Sequence, residues 1–254
     1  MKTRIDKLLV DRGLAASRER AQALILAGKV LVNEQKIEKA GASVASDATL
    51  RLLGEDMRYV SRGGLKLEKA LEHWQIDLDE RVCLDIGAST GGFTDCMLQH
   101  GAARVIAADT GYGQMDFRLR EDARVRLLEK TNARYLTPEQ VGETVGFVAM
   151  DVSFISATLV LPAVIRASLG HPGQGATCQV VVLVKPQFEV GRELVGKGGI
   201  VRDESAQLAA VAKVEAALQQ LGCVHIEWIE SPLLGMEGNR EFLLYGEFLP
   251  PAMP

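Results

Sequence analysis

The run Val82-Cys83-Leu84-Asp85-Ile86-Gly87-Ala88-Ser89-Thr90-Gly91-Gly92-Phe93 constrains the fold more than any other stretch of the chain. Val82 to Ile86 reads as a buried strand, Gly87 to Gly92 as a sharp turn, and Phe93 as the start of a helix. The glycines permit positive φ and close approach of a ligand to the backbone, and the helix that follows offers N–H groups with no partner inside the helix. The spacing departs from the dinucleotide fingerprint G-x-G-x-x-G, because no glycine stands two positions after Gly87. Asp85, at the strand end, would repel a pyrophosphate but suits a cationic or hydroxyl-rich ligand.

Arg104-Val105-Ile106-Ala107-Ala108-Asp109 reads as a second buried strand ending in an acid. Ligands of doubly wound sheets lie beyond the carboxyl ends of the strands, so Asp109 is placed to accept hydrogen bonds from a ribose. Further strands are expected at Val145 to Asp151, Gln179 to Lys185, Val224 to Glu230 and Glu241 to Phe248, with helices at Ser156 to Ser168 and Asp203 to Leu221. This alternation predicts an α/β fold with a parallel sheet covered on both faces.

The 254 residues, 47% hydrophobic, suffice for one large domain and a small one. No apolar run approaches the ~20 residues needed to span a bilayer, and no apolar signal region follows the first charges, so a soluble cytoplasmic protein is expected. The cysteines, Cys83, Cys96, Cys178 and Cys223, have no C-x-x-C spacing. They read as reduced core thiols, with neither disulfides nor a metal site expected.

The net charge of −4 hides an asymmetry: residues 1–66 hold 13 Lys and Arg against 8 Asp and Glu, and the rest hold 16 against 25. A basic front on an acidic body suggests that the front meets a polyanion. Ile5, Leu8 and Leu9 predict a helix ending near Gly13, and Ser17 can open a second helix carrying Ala21, Leu24 and Ile25. After Gly28 the pattern turns strand-like through Lys29 to Asn33, with a turn at 33–36. Two helices against a small sheet would gather Arg4, Lys7, Arg18, Arg20 and Lys29 into a phosphate-binding patch that reads no bases. Arg4 to Leu9, Ser17-Arg18 and Gly28 to Asn33 resemble the αL RNA-binding domain of a ribosomal small-subunit protein and of many pseudouridine synthases. The polar, glycine-containing stretch Gly54 to Gly64 reads as a linker, and a helix starts near Leu65.

Three polar residues sit at ends of apolar strands: Asp151, Lys185 and Glu241. Lys185 follows a run of Val and Leu and precedes Pro186, which holds its backbone extended. With Lys66 they make a Lys, Asp, Lys, Glu set that resembles the catalytic tetrad of FtsJ-type ribose 2′-O-methyltransferases. With the basic front, nearly the whole chain resembles the TlyA family of ribosomal-RNA 2′-O-methyltransferases, often labelled hemolysins. The resemblance includes Tyr59 to Leu67, Asp109 to Gln114 and Glu129 to Arg134. It implies a Rossmann-like methyltransferase sheet over 61–254 behind a small α+β RNA-binding domain over 1–60. It further implies Lys66, Asp151, Lys185 and Glu241 as catalytic residues, and Asp85, Gly87, Ser89, Gly91, Asp109 and Asn132 as holding S-adenosyl-L-methionine. The implied acceptor is ribosomal RNA or a ribosomal subunit, with cytidine as the nucleotide.

A ribose hydroxyl is a weak nucleophile, so transfer needs its proton removed while its oxygen is lined up with the methyl. Lysine does this when desolvation or a neighbouring cation favours its neutral form. Lys185 is taken as the base, Lys66 as the cation that favours neutral Lys185 and steadies the oxyanion, and Asp151 and Glu241 as orienting groups. The two lysines are close to interchangeable on sequence grounds. Two alternatives stand beside this reading. An RNA base methyltransferase would want a nucleophilic cysteine or an Asn/Asp-Pro-Pro-aromatic motif, whereas Asp151-Val152-Ser153-Phe154 has neither. A membrane-active hemolysin would want spanning or amphipathic segments, yet Ser156 to Ser168 reads as a sheet-covering helix and contains Pro162. The glycine-rich stretch Val190 to Gly199 suits a lid, with Arg192, Lys197 and Arg202 able to touch phosphates. A monomer is the default expectation.

Overall fold

The computed structural model describes residues 2–15, 17–53, 58–169, 177–235 and 238–249. The chain packs as two units, Met1–Met57 and Arg58–Pro254.

The first unit contains β1 (Lys2–Arg4), α1 (Ile5–Asp11), α2 (Arg18–Leu26), β2 (Val30–Val32), β3 (Gln35–Lys36), β4 (Ser43–Ala45) and β5 (Leu50–Leu52). Ser17 caps α2 by accepting from the Arg20 N–H at 3.2 Å, a typical stabilising contact for a helix start. β2 and β3 form a hairpin whose two turn residues, Asn33 and Glu34, both have positive φ, the geometry that matches strand twist. β3-β2-β5 make one small sheet and β1-β4 another. Ile5, Leu8, Leu9, Leu24, Ile25, Val30 and Val32 form the core.

The second unit begins with α3 (Gly63–His73), β6 (Val82–Ile86), α4 (Gly92–Gln99), β7 (Arg104–Ala108), α5 (Phe117–Arg120), β8 (Val125–Leu128) and α6 (Pro138–Val141). It continues through β9 (Phe147–Met150), α7 (Ala157–Leu169), β10 (Cys178–Val184), α8 (Pro186–Glu189), α9 (Glu204–Gln220), β11 (Val224–Glu230) and β12 (Phe242–Phe248). The seven strands form one sheet in the order β11-β12-β10-β9-β6-β7-β8.

Side chains alternate between the two faces, as the two-residue period of a strand requires. Leu84, Ile86, Val148, Met150, Val180 and Val182 face a core shared with α7 and α9. Cys83, Phe147, Ala149, Val181 and Leu183 face the core that includes Leu67, Leu71, Phe93 and Met97 of α3 and α4. Burial on both faces explains the near-continuous apolar runs of β9 and β10. All four cysteines are buried free thiols.

Two expectations need correction. The sheet is not wholly parallel, because β12 lies between β10 and β11 and runs antiparallel to both. β11 and β12 are joined through residues 231–241 with no crossover helix among the described residues, and neighbours joined that way run in opposite directions. The stretch read as a linker is also not one throughout. Gly54 to Met57 lie outside the described residues, but Tyr59 is buried, its hydroxyl donates to Glu68 at 2.9 Å, and the Val60 N–H donates to Asp95 at 2.8 Å. Gly64 makes this possible, since a Cβ there would lie 2.3 Å from the Tyr59 ring.

Candidate active site

The carboxyl ends of parallel β9 and β10 open on the same edge of the sheet as the start of antiparallel β12. Register sets the rest. Val184 pairs with Phe242, so Lys185 and Glu241, one step beyond that pair, leave the sheet side by side. Met150 pairs with Val182 on one side and Ile86 on the other, so Asp151 leaves between Lys185 and Gly87. Lys66 comes from the first turn of α3. All four line one cavity of about 700 Å³, together with Gly87, Ser89, Phe93, Ser153, Phe154 and Asn239 among others.

The four charges form two ion pairs. Lys66 Nζ lies 2.5 Å from Glu241 Oε2, with the side chains 11% and 3% exposed. Lys185 Nζ lies 2.5 Å from Asp151 Oδ1, with the side chains 11% and 23% exposed. Lys185 also donates to Ser153 Oγ at 2.8 Å. Two lysines balanced by two carboxylates leave the set formally neutral, so a cationic ligand meets no net repulsion from it.

The residues expected at the cofactor fall into two groups. Gly87 and Ser89 line the cavity. Gly87 has φ +84°, and a Cβ there would sit 2.2 Å from the Asp151 carbonyl oxygen, so the loop and the Asp151 strand end meet backbone to backbone. Asp85, Gly91, Asp109 and Asn132 are not among the lining residues. Asp85 is fully buried beneath the loop, and its Oδ2 accepts from Thr94 Oγ1 of α4 at 2.6 Å. Its Oδ1 has no hydrogen-bond partner among the described residues, and burial pushes its pKa up to about 7. Gly91 caps α4 in the left-handed region, packed against Leu119. Asp109 accepts from the Ser89 N–H at 2.8 Å and the Gly111 N–H at 2.6 Å, tying the first loop to the second. Asn132 accepts from the Arg134 N–H at 3.0 Å through its side-chain oxygen.

The sequence left several wall residues unassigned. Phe154 has φ +65°, is 91% exposed, and lies 5.3 Å from the Phe188 ring. Asn239 is buried, donating to the Gly199 carbonyl at 2.9 Å and accepting from the Val201 N–H at 3.0 Å. It ties the end of the glycine-rich stretch to the strand start that carries Glu241. Val195, Gly198 and Gly199 of that stretch line the cavity. An Asn two residues before Glu241 was the only available sequence signal.

In the first unit, buried Asp6 draws two of the five expected basic side chains, Arg4 and Arg18, together. It accepts from Arg4 Nε at 3.0 Å and Nη2 at 2.8 Å, from Arg18 at 3.1 Å, from Gln22 at 3.0 Å and from the Lys7 N–H at 2.8 Å. The Arg4 hydrogen bonds foremost hold its carboxyl well below the usual range. Arg20 shares α2 with Arg18, and Lys29 follows that helix. Among the described residues, no cluster of His, Cys, Asp and Glu suits a metal ion, and no helix is long and apolar enough to cross a membrane.

The comparisons with known proteins agree on the family. The model of the FtsJ-like methyltransferase family matches residues 59–248, and that of the S4 domain matches residues 3–49. The chain is 45% identical over 245 residues to "16S/23S rRNA (cytidine-2'-O)-methyltransferase TlyA" of Mycobacterium tuberculosis, covering 96% of this chain and 89% of that protein. It is 37% identical to "Hemolysin A" of Brachyspira hyodysenteriae, covering 95% and 98%. A solved structure from Streptococcus thermophilus that carries a hemolysin name superposes with a TM-score of 0.73 at 44% identity, covering 98% of this chain and 89% of that one. With a matched methyltransferase model over most of its length and an S4 domain before it, the chain belongs to the FtsJ-like methyltransferase family.

Proposed function

We propose that the protein transfers a methyl group from S-adenosyl-L-methionine to the 2′-hydroxyl of a cytidine ribose in ribosomal RNA. The observation that carries this reading is the meeting of two Lys–carboxylate pairs in one cavity beside the Gly87 loop. S-adenosylmethionine supplies an electrophilic methyl on a sulfonium centre. The formally neutral set of four charges and the backbone-lined loop fit such a ligand, with Gly87 and Ser89 along it and Gly91, Asp109 and Asn132 around it. Asp85 acts from beneath by holding α4 through Thr94.

Lys185, once it has given its ammonium proton to solvent, takes the 2′-hydroxyl proton, and the Asp151 carboxylate lies beside its amine. Among the described residues Lys66 has one carboxylate partner, Glu241, which leaves other N–H bonds to meet the oxygen as it gains negative charge. Phe154 offers an exposed apolar face of the kind that unpaired bases stack on, with the half-buried Phe188 ring beside it. Arg4, Lys7, Arg18, Arg20 and Lys29 hold phosphates of the same RNA. The named activity of the Mycobacterium relative supports ribose of cytidine as the acceptor. We place the protein in the cytoplasm as a monomer that uses no metal.

Mapping ribose methylation in ribosomes from cells with and without the protein tests the reading. A cytidine that loses its 2′-O-methyl group is the expected result. An unchanged map, or a lost methyl that digestion to nucleosides assigns to a base, overturns it.

A further inference from the structure

We infer that Ser153 is a positioning residue that fixes the rotation of the Lys185 amine, an inference that rests on Lys185 acting as the base. Among the described residues, Lys185 Nζ meets two polar oxygens, Asp151 Oδ1 and Ser153 Oγ, both from the segment that follows β9. Asp151 Oδ1 is the closer at 2.5 Å, yet it is shut off from solvent and receives no directed hydrogen bond. Ser153 Oγ, at 2.8 Å, accepts the directed one. Asp151 therefore supplies charge, and Ser153 supplies direction.

The geometry of nitrogen makes the direction matter. A neutral lysine carries two N–H bonds and one lone pair around Nζ, and rotation about Cε–Nζ exchanges their positions. With one N–H given to Ser153, one of the two remaining positions on Nζ is left for a lone pair on the side of the cavity that Lys185 and Ser153 both line. Proton transfer to a lone pair pointing elsewhere is lost catalysis, because a base acts only when aimed at the proton. During transfer the 2′-O–H bond breaks and its proton joins Nζ. The oxygen's electron pair forms the O–CH3 bond, and the donor sulfur keeps the pair of the broken S–CH3 bond.

The local backbone supports a dedicated role. The segment turns at Phe154 with φ +65°, a region uncommon for a bulky side chain and one that persists only where surrounding structure holds it. Glu189 pins the far end of the segment, accepting from Ser156 Oγ at 2.5 Å and the Ala157 N–H at 2.6 Å. Lys66 shows no equivalent hydroxyl partner among the described residues, as fits a cation that needs N–H bonds rather than a lone pair aimed at the oxygen.

Ser153→Ala, Ser153→Thr and Lys185→Ala, assayed on ribosomal particles from cells lacking the protein, test the inference. For Ser153→Ala we expect kcat to fall about ten-fold with KM for RNA and calorimetric affinity for S-adenosylmethionine unchanged. Loss of an acceptor for the ammonium form should also move the acidic limb of the pH–rate profile to lower pH. The charged groups that bear on that limb are Asp151 beside Lys185, Arg62, Lys66 and Glu241 lining the same cavity, Asp85 buried near Asp151, and Glu189 on α8. In protein without RNA, the pH midpoint for trace acetylation of Lys185, read by peptide mass spectrometry, should move the same way. Ser153→Thr, which restores the hydroxyl, should return all three readouts towards wild type. Unchanged kcat and midpoints in Ser153→Ala, or a loss that Ser153→Thr does not restore, overturn the inference while an inactive Lys185→Ala leaves the parent reading intact. An active Lys185→Ala overturns the parent reading instead.

Discussion

Lys66 and Glu241, 175 positions apart, meet with 2.5 Å between Nζ and Oε2 and with the carboxylate side chain only 3% exposed. A pair this enclosed gains its Coulomb attraction against a large desolvation cost, so its removal is not simply the loss of a bond. Glu241→Ala leaves Lys66 enclosed without a counter-charge and should destabilise the fold by about 3 kcal/mol or more. Lys66→Met combined with Glu241→Leu should recover most of that stability while remaining inactive. Denaturant melts and methylation assays on the singles and the double check both halves.

Gly87→Ala should abolish most activity. Its Cβ would lie 2.2 Å from the Asp151 carbonyl oxygen, which is backbone and cannot swing aside, and φ at this position is +84°. The strain of a left-handed alanine is about 1 kcal/mol before the clash is counted. The displaced Asp151 should lower kcat, and the displaced loop should weaken calorimetric binding of S-adenosylmethionine.

Asp85 should give stability a pH dependence of unusual sign for an acid. Its folded pKa of about 7 stands above the ordinary 3.8, so the folded state holds a proton that the unfolded state has lost in between. Its contribution is fully present below about pH 4, falls as pH rises towards 7 and levels off above, with a span of at most about 4 kcal/mol. Asp85→Asn, which has no charge to bury, should flatten that stretch of the curve and raise the melting temperature most above pH 7. Thermal melts from pH 4 to 8 measure the difference.

Asp6 should behave in the opposite sense. Its carboxyl is held low by Arg4, Arg18 and Gln22, so the stability it contributes is present above about pH 4 and is lost as pH falls through its folded pKa. Asp6→Asn should therefore cost stability at neutral pH and little in strong acid, as acid and neutral denaturation series would report.

Lys7→Ala should weaken RNA binding and lower the slope of log affinity against log salt by about one, the signature of one lost phosphate contact. Its side chain is exposed, so kcat at saturating RNA should be unchanged. Titrations over a salt series test this.

Much of the fold was legible in the chain. The buried strands at Val82 and Arg104 and the helix from Asp203 could be read because an apolar run ending in glycine or acid, or a helical period, reflects burial that local chemistry dictates. The antiparallel run of β12 could not be read, since reversing a strand leaves its alternation unchanged. Tyr59 escaped for a related reason: polar and glycine neighbours look like a linker, and only the packing against Gly64 turns them inward. An acid at a strand end usually faces solvent, and only the pleat of β6 turns Asp85 inward to Thr94.

The sequence by itself determined which chemistry the chain carries: a lysine and two carboxylates at the ends of apolar strands, a second lysine at a helix start, a glycine loop, and a basic front. What only the tertiary structure decided is which carboxylate serves which lysine. Asp151 and Lys185 end parallel neighbours, while Glu241 begins a strand of opposite direction, and reversal alone brings that beginning to the same edge of the sheet. Pairing depends on distances across strands, and those follow from register and direction, which the order of residues along one chain does not contain.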